Sequence, residues 1–161
     1  MKKIVAMGLV LLFVVTTLVA CGNKNGGQGS TNTDMLFNKK CEYIGDASAV
    51  GSVLEALEIS SLGNYDISLK TDTEPYALTV NFDKINVPAD ELNDKMQMYS
   101  YVLLALICNA DEVHWNINTD DVKDSKTITI DEANKAYENI KDSATSVDKL
   151  HSLLVAVGYY K

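Results

Sequence analysis

The chain has 161 residues and a formal net charge of −8 at pH 7, and all 14 of its basic residues are lysines. Nucleic acids and anionic lipids bind to positively charged surfaces, so an acidic chain without arginine is not expected to bind either of them. Hydrophobic residues make up 47% of the sequence, which is enough to build a domain with a sizeable core.

The first 20 residues have the composition of a secretory signal. Met1-Lys2-Lys3 precedes an apolar stretch, and Leu18-Val19-Ala20 lies directly before Cys21. This pattern resembles the lipobox of bacterial lipoproteins. The resemblance implies cleavage after residue 20, acylation of Cys21, for example with palmitate, and a lipid anchor on the extracytoplasmic face of the cell membrane. The alternative is an uncleaved membrane anchor, for which residues 4–20 are marginally short.

The chain after the signal predicts a tether followed by one domain. Residues 21–35 are rich in Gly, Asn, Ser and Thr, which is typical of a flexible linker. Residues 36–161 contain neither an internal repeat nor a second linker, so we expect a single domain there. Without residues 1–20, 12 lysines face 22 carboxylates, which gives a net charge of −10.

Hydrophobic periodicity predicts a helix, a hairpin and a long central helix in the first part of the domain. Asp46 is expected to cap the first helix, in which apolar residues recur at helical spacing from Val50 to Leu57. Alternating strands around residues 67–70 and 76–82 form the hairpin, joined by a turn at 71–75. The helix over about 89–108 is apolar almost all round at its end, which predicts a central position.

The second part of the domain reads as two strands and two helices. Strands are expected at 113–118 and 127–130, followed by a helix capped by Asp131 and a last helix entered through Thr145–Asp148. This order predicts an α+β domain with a mainly antiparallel four-stranded sheet and helices packed on one face. Trp115, Phe82 and Tyr76 are expected on the buried face of that sheet.

Cysteines and carboxylates do not predict a metal site. Cys41 and Cys108 lack a second Cys or His ligand at zinc-binding spacing. Outside the cytoplasm the two thiols can form a disulfide, but Cys108 ends an apolar run, which favours a buried thiol of the core. A cluster of carboxylates, which would either attract calcium or form a solvated turn, lacks the EF-hand spacing. Its members are Asp120, Asp121 and Asp124. No cofactor is predicted.

Catalytic motifs do not occur in the sequence, so neither a catalytic residue nor an enzymatic activity is predicted. No serine lies in a G-x-S-x-G motif, and no glycine-rich phosphate loop follows a predicted strand. The alternative is a cell-envelope enzyme that uses a carboxylate together with His114. That alternative predicts a buried carboxylate with a raised pKa.

One polar loop is a candidate recognition site. It consists of Thr71, Asp72, Thr73, Glu74, Pro75 and Tyr76. Polar loops on a rigid hairpin are common places for recognition. The alternative is an ordinary turn that uses Asp72 and Pro75 only for its geometry.

Four segments carry a family resemblance. They are Tyr43–Asp46, Leu69–Phe82, Leu103–Val113 and the stretch that begins Thr129–Ala133, and Thr71–Tyr76 is the most specific part. Together they resemble a Gram-positive extracytoplasmic domain of unknown function over roughly residues 36–160. Cys41 and Cys108 do not belong to this pattern.

That family occurs in lone lipoproteins and appended to membrane metallopeptidases of the BlaR/MecR type. Its own domain has no established active site, and the zinc-binding His-Glu-x-x-His helix of the metallopeptidases is absent from this sequence. The resemblance therefore implies a non-catalytic binding, accessory or sensor domain with a membrane-protein or envelope partner.

Overall fold

The structure, a computed structural model, describes residues 28–120 and 122–160. The predicted signal at 1–20 and the predicted lipidation of Cys21 lie outside the described residues. In the part of the chain that is described, no helix is both long enough and apolar enough to cross a membrane.

The described residues form helices and strands in a mixed order. In chain order they are α1 Gln28–Phe37, α2 Ala47–Ala56, β1 Gly63–Lys70, β2 Ala77–Ile85, α3 Ala89–Leu106, β3 Glu112–Asn118, β4 Lys123–Thr129, α4 Ile130–Ala136 and α5 Val147–Ala156. Two 3-10 helices, Ile59–Ser61 and Ile140–Ala144, lie before β1 and before α5. The predicted α+β class is confirmed.

The sheet is mixed, with the strand order β1-β2-β3-β4. β1 and β2 are antiparallel, as are β3 and β4, whereas β2 and β3 are parallel. The prediction of a mainly antiparallel sheet therefore missed the parallel central pair. The parallel pairing of β2 with β3 arises from α3, which connects them. Its 18 residues span roughly 27 Å and return the chain to the end of the sheet where β2 began.

Polar side chains cap α2, α4 and α5, although two of these three N-caps differ from the prediction. The cap of α5 is Ser146, whose hydroxyl accepts the Lys149 N–H, and not Thr145. Asp46 caps α2 as predicted, because its carboxylate accepts the Ala49 N–H at 2.9 Å. Thr129, rather than Asp131, caps α4 in a capping box with Glu132. The reason is that β4 runs extended as far as Thr129, which leaves its hydroxyl at the Ncap position, two residues before Asp131.

Trp115 occupies the centre of the core. Its ring is fully buried and stacks on Phe82, with ring centroids 6.1 Å apart. The indole N–H donates to Ser100 Oγ at 2.7 Å, and that hydroxyl donates to the Met96 carbonyl at 2.7 Å. The predicted burial of Trp115 and Phe82 is confirmed, whereas Tyr76 is only half-buried because it lies just before β2 begins.

Part of the predicted tether is helical. Residues 28–35, which were predicted to be flexible, belong to α1, and the prediction is wrong for them. α1 packs against α5, and Thr33 Oγ1 lies 2.8 Å from the Tyr160 hydroxyl and 3.1 Å from His151 Nδ1. These contacts come from residues more than 100 positions away, which local composition does not reveal.

Candidate recognition site

A turn between α3 and β3, residues 107–111, organises one end of the domain, and we call it the hub turn. Its first residue, Ile107, forms a parallel bridge with Cys41. The Cys41 N–H donates to the Leu106 carbonyl at 2.9 Å, and the Cys108 N–H donates to the Cys41 carbonyl at 2.8 Å. The segment before α2 is thereby fastened to the end of α3.

Cys108 belongs to the hub turn and Cys41 adjoins it, and both are free thiols. Cys41 is buried, and its thiol donates to the Tyr43 carbonyl at 3.1 Å. Burial raises the pKa of the Cys41 thiol, which keeps it protonated and unreactive at neutral pH.

Side chains of the hub turn bind the loops around it. Asn109 Oδ1 accepts the Ile44 N–H at 2.7 Å. Asp111 Oδ2 accepts the Tyr76 N–H at 2.7 Å, and the Asp111 N–H donates to the Tyr76 carbonyl at 2.9 Å. The Asp111 carbonyl accepts the Ile130 N–H at 2.7 Å, so the start of α4 is held as well.

Lys141 reaches the hub turn from the 3-10 helix Ile140–Ala144. Its Nζ donates to the carbonyls of Ile107 and Ala110, each at 2.7 Å. Carbonyls at the end of a helix lack intrahelical hydrogen-bond donors, and a lysine located there donates hydrogen bonds to them. Burial lowers the pKa of Lys141 to about 8, against weaker opposing effects of Cys108 and Asp111.

The hub turn supports a largely exposed surface, which we call the loop surface: Tyr43–Gly45, in which Ile44 is buried, Thr71–Tyr76 and Asp111–Glu112. Residues 71–75 are exposed, and Tyr43 is 71% exposed, unusual for an aromatic side chain. A Cβ placed on Gly45 would lie 3.8 Å from Thr71 Cγ2, so the first two segments are neighbours. The candidate loop is thus extended by an aromatic side chain from a distant segment.

An acidic groove of about 440 Å³ borders the loop surface. It is lined by Glu74, Pro75, Asp111, Glu112, Thr129, Ile130 and Asp131. Four of these residues are carboxylates and none is a lysine, so the groove has a negative potential that favours cationic groups.

His114 lies beside this groove. Its Nε2 is 2.8 Å from Glu112 Oε2, and both side chains are partly exposed. The structure therefore places His114, the histidine of the alternative enzyme hypothesis, in contact with one carboxylate, that of Glu112. Among residues 28–120 and 122–160, no group of three or more His, Cys, Asp or Glu side chains is placed to hold a metal ion.

The loop surface does not contain all of the candidate residues, and it includes residues that the sequence analysis had not proposed. Asp120 and Asp124 line a separate crevice at the opposite end of β3, and Asp121 lies outside the described residues. Sequence reasoning did not single out Tyr43 or Lys141 as functional. Tyr43 did begin one of the four resemblance segments, and these segments meet at the hub turn, which is the signal that was available.

The fold and the loop surface define an α+β domain with a mixed four-stranded sheet and an exposed polar loop. A family model for a domain of unknown function, DUF4825, matches residues 36–131, and the chain belongs to this family. No curated protein and no solved structure matches the chain. Lys141, α5 and the C-terminal residues lie outside the matched region.

Proposed function

We propose that this protein is a lipoprotein anchored through Cys21 on the extracytoplasmic face of the cell membrane, where its domain acts as a non-catalytic binding or sensor module. The partner is an envelope or membrane protein that presents cationic groups to the loop surface. The lipobox-like Leu18–Cys21 sequence supports the anchoring, and the acidic groove supports the charge of the partner.

One observation carries the binding role: Tyr76, at the exit of an exposed polar loop, is held by hydrogen bonds from a distant part of the chain. Asp111 binds both the exit of the loop and the start of α4. Ordering a loop costs conformational entropy, and a loop already ordered in its binding conformation does not incur that cost on association. Such an arrangement favours recognition over a simple turn.

We further propose that the helices cover one face of the sheet and leave the other as a polar sheet face continuous with the groove. In β3, Val113, Trp115 and Ile117 are buried, whereas Asn116 is exposed. Asn116 Nδ2 donates to Asn81 Oδ1 at 2.9 Å. Asn81 in turn donates to Asp66 at 2.8 Å, so polar side chains bridge three strands on this face.

Glu74→Lys is expected to reduce partner capture at least tenfold in crosslinking on native membranes. The substitution reverses one charge in the groove, and like charges across an interface are strongly unfavourable. Glu138→Lys makes the same change at an exposed position away from the groove, so it should capture the partner at the wild-type level. Equal capture by both variants would rule out the loop surface as the contact, and unchanged capture by Cys21→Ala would rule out the lipid anchor.

The Glu112–His114 contact favours one second candidate, a cell-envelope enzyme in which His114 acts as a general base oriented by the carboxylate. If so, the full-length protein should release soluble fragments from purified envelope material. His114→Gln should then slow the release by roughly 100-fold or more. Release at the same rate by the wild type and the variant would dismiss this candidate.

A further inference from the structure

A second cavity lies away from the hub turn, between the N-terminal half of α3, the end of α2 and the C-terminal residues. It encloses about 590 Å³, within the range of pockets for small ligands. Its walls include Leu57, Glu58, Asp94, Tyr99, Tyr159 and Tyr160. We call it the tyrosine cavity.

The three tyrosine rings form two pairs that meet at near right angles, and Tyr160 also packs on His151 at an angle of 32°. Tyr99 and Tyr159 have centroids 6.3 Å apart and an interplanar angle of 74°. Tyr159 and Tyr160 have centroids 5.2 Å apart and an angle of 79°. All three rings line the cavity, and a cation there is attracted by the negative face of any ring that its neighbours leave open.

Carboxylates reinforce that attraction. Glu91, which also lines the cavity, pairs with Lys95 at 3.3 Å. Neither Glu58 nor Asp94 forms an ion pair with any residue in the ranges 28–120 and 122–160. Asp94 also lies close enough to Lys126 to favour the charged form of that lysine. Three carboxylates, one lysine (Lys95, paired with Glu91) and three electron-rich rings therefore line the same space, which leaves a net negative charge there.

The surroundings of Tyr159 keep it neutral. Burial, followed by the neighbouring Tyr99, Tyr160 and Glu58, raises the pKa of Tyr159 to about 12. The ring is thus a phenol rather than a phenolate, and its attraction for a cation comes from the π-face.

The backbone of Glu58 is strained at this cavity. Its φ of 55° and ψ of 38° lie in the left-handed region, which residues with a Cβ rarely adopt. Strained residues persist where the surrounding structure holds them, and they cluster at ligand-binding sites. Glycine would adopt this backbone conformation more easily than glutamate. The position nevertheless carries a carboxylate, at the rim of the cavity.

We propose that the tyrosine cavity binds a quaternary ammonium group, carried by a small molecule or a lipid headgroup. A quaternary ammonium has no N–H to donate and is recognised by aromatic faces, whereas a primary ammonium is strongly hydrated. This binding site is separate from the loop surface and does not depend on the function proposed for it.

Calorimetry with choline chloride and the full-length chain in detergent micelles tests the proposal. Choline should bind saturably, and 3,3-dimethyl-1-butanol, its neutral carbon analogue, should bind at least about tenfold more weakly because it lacks the charge. The same titration with glycerophosphocholine distinguishes binding of a lipid headgroup from binding of a free quaternary ammonium compound. We expect it to bind more weakly than choline, since Glu58 and Asp94 repel its phosphate.

Variants locate the site. Tyr159→Leu should weaken choline binding about tenfold and Asp94→Asn roughly threefold, whereas Tyr43→Leu, on the loop surface, should have no effect. Glu58→Gly should lower the affinity while raising the melting temperature, because glycine relieves the positive φ. Three results would each overturn the proposal. The first is equal binding of choline and its neutral analogue, and the second is tighter binding of Nα-acetyl-lysine amide, which carries a primary ammonium. The third is unchanged choline binding by the folded variants Tyr159→Leu and Asp94→Asn.

Discussion

Gly63→Ala is expected to lower the free energy of unfolding by about 3 kcal/mol, the upper range for overpacking a filled site. Gly63 is buried at the start of β1 and pairs with Ile85 of β2. A Cβ there would overlap the carbonyl oxygen of Lys84 and lie 2.9 Å from its carbonyl carbon. Because both atoms belong to the backbone, they cannot move without disturbing the pairing of β1 with β2.

Gly51→Ala is the matched control for this prediction. Gly51 lies inside α2, and a Cβ there would have no atom within 4 Å. Alanine is a better helix former than glycine, so we expect the free energy of unfolding to rise by about 0.5–1 kcal/mol. Urea unfolding of both variants measures the two effects, and a destabilisation of the same size by both would contradict the packing of Gly63 against Lys84.

Relative to Lys141→Met, the wild-type protein is expected to gain about 2 kcal/mol of stability between about pH 7 and about pH 9.5. Burial lowers the pKa of Lys141 to about 8 in the folded protein from 10.5, the ordinary value. Between these values the unfolded chain binds the proton and the folded chain does not, so the free energy of unfolding rises with pH. Each pH unit in this window adds about 1.4 kcal/mol to the free energy of unfolding, and solvent screening at the partly exposed amine reduces this contribution.

The neutral amine also suits its surroundings. It carries two hydrogens, and Nζ has two carbonyl partners, those of Ile107 and Ala110. Tyrosines with raised pKa values and the Cys41 thiol contribute an opposite slope above their unfolded pKa values. Both proteins share these groups, so the difference between them in urea unfolding isolates Lys141. A difference that stays constant across this range would show that Lys141 is solvated in the folded state.

Local signals predicted most of the elements. The alternation of apolar residues located the hairpin formed by β1 and β2, and helical spacing located α2 and α3, because each pattern is set by neighbours within a few residues. Asp46 was identified as a cap because an Ncap side chain binds a backbone N–H only three residues away. Elements whose stabilising contacts are local are visible in a single sequence.

The candidate site was predicted only in part. Thr71–Tyr76 was identified from its composition, because a polar loop with an aromatic exit between two strands is a local pattern. Its partners were not: Tyr43 lies about 30 residues away, and Lys141 is a single residue without a motif. Their positions depend on how α3 ends and on which segments pack there, and such contacts leave no periodicity.

By itself, the sequence determined the α+β class, the cap of α2 and the burial of Trp115, because each of these follows from residue type and short-range spacing. Only the tertiary structure decided the parallel pairing of β2 with β3, the helical state of residues 28–35 and the convergence on the hub turn. Hydrogen bonds and packing between residues distant in the chain stabilise these features. They form only once the hydrophobic core has brought the segments together.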